Sequence, residues 1–196
     1  MNYFKNALSG LKVDEEAIKR YEEKKEKEIF QQRQFLIERT TPKEFINADI
    51  KNIDKRIIDF ARSNKIFCWI YGVKGVGKTY SLYAIRNYQI YRGNFFDLVM
   101  EGELNYDKDF RDINAVDNLC ISDSKIKFLS DYYFNLIDYC WKHHKKLYLT
   151  STKKHDYWIE MLSNVNNENA EAIASRFSNA IEIIELKGND RRKRSS

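Results

Sequence analysis

The sequence of 196 residues is poor in residues that interrupt regular structure, with one proline and seven glycines. It also has only three cysteines, Cys68, Cys120 and Cys140, and none is spaced from another as zinc ligands are. Each cysteine lies among apolar neighbours. This pattern argues against a zinc site or a disulfide framework and predicts buried thiols.

Long apolar runs are absent as well. No segment approaches the roughly 20 apolar residues that span a bilayer. The first residues, MNYFKNALSGLKVDEE, show neither the basic nor the apolar region of a signal peptide. We therefore expect a cytoplasmic protein with no membrane partner. An apolar share of 43% is sufficient for a hydrophobic core, and the net charge of +5 fits a nucleic-acid partner without requiring one.

The single proline, Pro42, coincides with a change in composition, so we place a domain boundary there. Residues 14–39 contain no glycine and carry opposite charges at helical spacing, as at Glu23 and Lys27. They predict a helix that is either a solvated appendage or a docking element for a partner. The predicted parts are a charged helical extension over residues 1–40, an ATPase domain over residues 41–193 and a basic tail over residues 194–196.

Beyond Pro42, apolar segments typical of strands alternate with amphipathic segments typical of helices. This alternation predicts an α/β fold in which helices cover both faces of a parallel sheet. The predicted strands are residues 65–72, 94–104, 118–124, 146–152 and 179–188.

A complete phosphate-loop signature, G-x(4)-G-K-[ST], follows the first predicted strand and precedes a helix. Its glycines let backbone N–H groups face a phosphate, and the helix N terminus adds positive charge. Lys78 is expected to reach the β- and γ-phosphates of ATP, and the Thr79 hydroxyl to bind Mg²⁺. The predicted nucleotide-binding residues are Gly72, Val73, Lys74, Gly75, Val76, Gly77, Lys78, Thr79 and Tyr80.

ATP hydrolysis also requires an acidic residue at the end of a neighbouring strand. The segment LCISD ends at Asp123, which is therefore the predicted metal ligand or water-activating residue. Where two acids usually stand side by side, this chain has Ser122, Asp123 and Ser124. Which of the three fills each role stays open, and either assignment predicts weak hydrolysis.

Further polar residues are candidates for contacts at the reacting phosphate. The strand KLYLTST ends in the hydroxyl side chains of Thr150, Ser151 and Thr152, which are candidates for a contact with the γ-phosphate or the attacking water. Arg176 precedes the final strand, and Arg191 and Arg192 follow it. Arginine suits the stabilisation of charge on a transferring phosphoryl group, often from a neighbouring subunit.

Together, GVKGVGKT, NLCISD, LYLTST, ASRF and LKGNDRR resemble, in this order, the ATPase domain of DnaC/DnaI-type helicase loaders. The IstB-type ATPases that assist transposases belong to the same family. The segment TPKEFINADI, residues 41–50, resembles the start of that domain, and the resemblance covers about residues 40–193.

The resemblance implies an AAA+ P-loop module without a C-terminal helical lid. It also implies that Asp123 belongs to the acidic motif and that Thr152 stands where the family has a sensor asparagine. Arg176 falls at the arginine finger, which acts in trans in a homo-oligomer, and Arg192, or else Arg191, falls at the second sensor. The chain departs from the family in its reduced acid pair, its threonine sensor and its short segment 105–117.

The first hypothesis is a helicase loader, encoded by a phage or another mobile element, that uses ATP and Mg²⁺ to assemble on a replicative DNA helicase and on single-stranded DNA. The second is an IstB-like ATPase that binds duplex DNA and recruits a transposase. The third is an interaction protein that binds ATP but scarcely hydrolyses it.

Overall fold

The computed structural model describes residues 15–92, 98, 113–117, 119 and 123–190. The chain divides into two compact units between Thr40 and Thr41. The first unit contains helix α1, Glu15–Thr40, and the second contains all the strands described. Within these ranges, no helix combines the length and apolarity that crossing a bilayer requires.

Helix α1 confirms the predicted N-terminal helix. Charged side chains face each other at a spacing of four residues, as at Arg20 and Glu16, whose charged groups lie 3.9 Å apart. Such pairs support an exposed helix by a few tenths of a kcal/mol each, about 0.2–0.5 kcal/mol. Several large apolar side chains are nevertheless exposed on this helix, among them Tyr21 at 66% and Phe35 at 61%.

The second unit begins with two short 3-10 turns, Lys43–Phe45 and Ile50–Asn52. Its other elements, in chain order, are α2 (Lys55–Arg62), β1 (Phe67–Tyr71), α3 (Lys78–Arg92), β2 (Ala115–Val116), α4 (Asp123–Lys142), β3 (Leu147–Ser151), α5 (His155–Ser163), α6 (Asn167–Phe177) and β4 (Ile181–Glu185).

The four strands are parallel and lie in the order β2-β3-β1-β4. In the central strand β1, Trp69 lies opposite Leu149 of β3 and Ile183 of β4. Successive residues of a strand face opposite sides of the sheet. Trp69 accordingly belongs to the core formed with α4, α5 and α6, whereas Ile70 belongs to the core formed with α2 and α3. The predicted α/β class is confirmed.

Two predicted strands lie wholly or partly outside the described residues. In the region of the strand predicted at residues 118–124, the described strand β2 lies just earlier, at Ala115–Val116, and α4 begins at Asp123. Leu119 continues the contact with β3, because its N–H donates to the carbonyl oxygen of Thr150 at 2.7 Å. Residues 118 and 120–122 fall outside the described residues. The strand predicted at residues 94–104 falls outside the described residues, apart from Leu98, which is buried.

The thiols of Cys68 and Cys140 are buried and free, as predicted. Burial disfavours the thiolate, so it raises the pKa of Cys140 to about 11 and raises the pKa of Cys68 further. Cys120 lies outside the described residues. The two described thiols are therefore core side chains with little reactivity.

Candidate functional site

The glycine-rich loop joins β1 to α3 at the carboxyl edge of the sheet. It begins after Tyr71 and leads directly into Lys78, the first residue of α3. The backbone at Gly75 and Gly77 has φ values of 77° and 108°, a region that side-chain-bearing residues rarely adopt. The loop therefore curls in front of the helix N terminus, where unpaired N–H groups and the helix dipole attract anions.

The two lysines of this loop have different environments. Lys78 is 4% exposed, and its Nζ donates to the carbonyl oxygens of Gly72 at 2.8 Å and Val73 at 3.0 Å. Lys74, by contrast, is exposed. The ammonium group of Lys78 is thus held on the inner side of the loop, where its charge acts on the same space as the N–H groups.

Beside the loop, three side chains from α3, β2 and β3 meet. Asp117 directly follows β2, and its Oδ2 accepts a hydrogen bond from Thr79 Oγ1 at 2.8 Å. Its Oδ1 accepts from the fully buried Thr150 Oγ1 at 2.5 Å. Parallel strands end at one edge of a sheet, so the carboxylate lies next to the first turn of α3. Carboxylate and hydroxyl oxygens are ligands that suit Mg²⁺, and these residues fit such an ion.

Sequence reasoning missed Asp117. Two successive apolar runs end in an aspartate: residues 113–116 precede Asp117, and residues 119–122 precede Asp123. We predicted Asp123, which is the first residue of helix α4 and whose side chain lies outside the described part of the chain. Among the described side chains, the carboxylate beside the loop is that of Asp117. The run over residues 113–116 was the sequence feature that could have identified Asp117.

Of the three candidate hydroxyl residues at the end of β3, Thr150 contacts the Asp117 carboxylate. Strand β3 ends at Ser151, and Thr152 follows it in a partly exposed bend. The two threonines differ in environment because the first is locked within the sheet, opposite Ile70 of β1.

Tyr80, predicted to bind the nucleotide, anchors a neighbouring segment. Its hydroxyl accepts a hydrogen bond from the backbone N–H of Asp49 at 3.0 Å. Farther along α3, the buried Asn87 donates from Nδ2 to the carbonyl oxygens of Phe45, Ile46 and Ala48. Residues 45–49 are thereby held against the helix that carries Lys78 and Thr79.

Arg176, the predicted arginine finger, lies in an ion pair within its own domain. Its guanidinium donates twice to Oδ1 of Asp138 in α4, from Nε at 2.9 Å and from Nη2. It also lies 5.2 Å above the ring of Phe134, and Lys142 contacts the same carboxylate at 2.7 Å. Burial raises the pKa of Asp138, but hydrogen bonds from Lys142 and Arg176 outweigh it and hold the pKa below its usual value.

This ion pair lies towards the opposite edge of the sheet from the loop. Asp138 is one turn before the end of α4, and the chain enters β3 shortly afterwards, at Leu147. Strands of five residues span about 16 Å between the two edges. In this position Arg176 does not reach the loop of its own chain. Arg192 and its alternative Arg191 lie outside the described residues.

Comparison with solved structures shows the same fold in two other proteins. The structure of DnaI aligns with 78% of this chain and 94% of its own, at 17% sequence identity and a TM-score of 0.54. A protein described as a primosome component, from Streptococcus pyogenes serotype M3, aligns with 80% of this chain and 97% of its own, at 14% identity and a TM-score of 0.51. The predicted resemblance is confirmed at the level of the fold.

No protein-family model matches the sequence, and no curated protein matches it either.

Proposed function

We propose that this chain binds ATP with Mg²⁺ at the glycine-rich loop and acts as a helicase loader with weak ATPase activity. The observation that carries the nucleotide part of the proposal is the contact of Asp117 with Thr79 and Thr150 beside the loop. The hydroxyl and carboxylate oxygens lie together at the first turn of α3, which is the position where a metal ion bound to a loop-held phosphate needs its ligands.

Each residue of the site has a proposed role that follows from its position. The backbone N–H groups of residues 72–77 and the Lys78 ammonium group hold the phosphates. Thr79 and Asp117, whose oxygens lie 2.8 Å apart, would hold Mg²⁺. Thr150 is a positioning residue, because its hydrogen bond fixes the rotamer of Asp117. The ion supplies charge that stabilises the phosphates when it is bound.

Hydrolysis is proposed to be slow. Besides the metal ligand, it requires a group that accepts a proton from the attacking water. The usual pattern places a second acid directly after the first, but Asp117 is followed in the sequence by Asn118. An amide is not a base at neutral pH. ATP would then serve mainly as a switch between partner-bound and released states.

The partner is proposed to be a replicative DNA helicase, engaged together with single-stranded DNA. Support comes from the fold likeness to DnaI and to the primosome component, and from helix α1. Tyr21 and Phe35 on α1 are separated by 14 residues, close to four helical turns, so they share one side of the helix. Both are exposed, and aromatic side chains of this kind are the ones that a helix-binding partner would bury.

The double variant Tyr21→Ala/Phe35→Ala is expected to lower recovery of the cognate replicative helicase about tenfold or more in a pull-down with ATP, because it removes the aromatic contacts. Tyr157→Ala is the matched control, since Tyr157 is an exposed aromatic residue on α5. Absence of helicase binding by the unaltered protein would contradict the proposal of a helicase loader. Equal recovery with both variants would exclude α1 as the docking element.

Arg176 is proposed to act on the nucleotide of a neighbouring copy. This proposal rests on the resemblance of ASRF to the family's motif and on the position of Arg176 away from its own loop. Because Asp138 holds the guanidinium in the single chain, assembly has to free it from this ion pair or reorient the pair towards the next copy.

Arg176→Ala is expected to abolish ATP turnover in the assembled protein, whereas Asp138→Asn, which weakens the same ion pair but keeps the guanidinium, should retain most of it. Both variants should lower the free energy of unfolding by about 1–2 kcal/mol, as loss of a partly buried charged hydrogen bond does. Mixing Arg176→Ala chains with Lys78→Ala chains should restore part of the turnover. If mixing restores none while both chains still assemble, the arginine does not act in trans.

A further inference from the structure

The segment that follows β4, residues 186–190, lies along the phosphate loop, and we call it the C-terminal segment. The N–H of Leu186 donates to the carbonyl oxygen of Tyr71, the residue before the loop, at 2.8 Å. The Leu186 carbonyl oxygen lies 2.4 Å from the position that a Cβ on Gly72 would occupy. Farther along, a Cβ on Gly188 would lie 3.8 Å from Val76 Cγ2. The C-terminal segment therefore follows the loop from its first residue to its middle.

The C-terminal segment ends with a carboxylate placed against the loop. A Cβ built on Gly75 would lie 1.8 Å from Oδ1 of Asp190 and 2.7 Å from Oδ2. The side of Gly75 that a side chain would fill is thus occupied by the Asp190 carboxylate. The backbone φ of 77° at Gly75 disfavours any residue other than glycine.

A negative charge at this position bears directly on phosphate binding. The loop N–H groups, the N terminus of α3 and the buried Lys78 together form an electropositive site. Asp190 places a negatively charged carboxylate beside that site, which attracts anions. The phosphates of ATP carry several negative charges, and like charges a few ångströms apart repel strongly where water is partly excluded.

We propose that Asp190 competes with the nucleotide, so that binding of ATP phosphates displaces the C-terminal segment from the loop. This inference rests on the proposed function, in that it takes the loop to be the ATP site. Asp190 is followed in the sequence by RRKRSS. Displacement would move the acidic side chain away from the phosphates.

The first test is the affinity for MgATP, measured by calorimetry on the full chain. Asp190→Asn removes the charge at nearly constant shape and is expected to bind about tenfold more tightly than the unaltered protein, as loss of a nearby like charge implies. Glu185→Gln is the matched control. It neutralises a carboxylate at the end of β4 that pairs with Lys187 at 3.8 Å, and its affinity should stay within about twofold of the unaltered protein, as expected for an exposed charge.

The second test is hydrogen exchange of residues 186–190 with and without MgATP. The Leu186 amide, bonded to Tyr71, should exchange faster when nucleotide is bound. Tighter binding by Asp190→Asn, or binding by this variant alone, supports the inference. Unchanged or weaker binding by Asp190→Asn, with the unaltered protein binding ATP, overturns the inference and leaves the proposed function standing. If neither protein binds ATP although both are folded, the inference and the proposed function are both contradicted.

Discussion

Lys78→Ala is expected to lower the affinity for MgATP by about 100-fold, equivalent to about 2.7 kcal/mol. The side chain is buried on the inner side of the loop, where its ammonium group already bonds two loop carbonyls. An incoming phosphate would gain a charge-assisted hydrogen bond there, and such bonds contribute about 1.5–3 kcal/mol. Equilibrium binding of MgATP by calorimetry measures the change.

Lys74→Ala provides a control within the same loop. It removes the same charge from an exposed position, where water and salt screen its effect on a bound phosphate. Its affinity should fall by no more than about threefold, as weak screened contacts imply. Circular dichroism and thermal unfolding verify that both variants are folded. Equal losses in the two variants would show that overall charge, and not the position of Lys78, governs binding.

Asp117→Asn is expected to remove the dependence of ATP affinity on Mg²⁺ and to reduce turnover below detection. The substitution keeps the size of the side chain and one acceptor oxygen, so Thr79 and Thr150 can still find a partner. It removes the negative charge that a divalent cation requires. ATP binding titrated in the presence of Mg²⁺ and in the presence of a chelator provides the measurement.

Asp123→Asn is the matched comparison, since it makes the same substitution at the position chosen from sequence. Because Asp123 is the first residue of helix α4 and Asp117 is the acid bonded to Thr79, replacement of Asp123 should leave the effect of Mg²⁺ within about twofold of the unaltered protein. The opposite pattern, with Asp123→Asn losing the Mg²⁺ dependence and Asp117→Asn keeping it, would return the metal site to the sequence prediction.

The choice between the two aspartates shows where local pattern stops being informative. Both candidate runs, INAV and LCIS, are largely apolar and both precede an aspartate. The contact of Asp117 with Thr150 depends on the sheet register, in which Val116 pairs with Leu149. These partners are far apart in the sequence, and strand propensity does not encode which run joins the sheet.

The same holds for Arg176 and Asp190, the two charged residues for which we propose a role at the site. Arg176 is bonded to Asp138, which lies 38 positions earlier in the sequence. Asp190 lies against Gly75, although more than half the length of the sequence separates them. In the sequence each of these charged residues has the features of an ordinary surface residue. Their contacts depend on how α4 packs against α6 and on where the chain leaves β4.

The sequence by itself determined the phosphate loop, the buried thiols, the N-terminal helix and the α/β class. These features depend on residues close together in the chain: a glycine pattern followed by lysine and threonine, apolar neighbours, and helical or strand periodicity. Only the tertiary structure decided which acid faces Thr79, what holds Arg176 and which carboxylate lies on the loop. Each of those contacts joins distant parts of the chain, and the sheet register and helix packing that bring them together arise only when the whole domain folds.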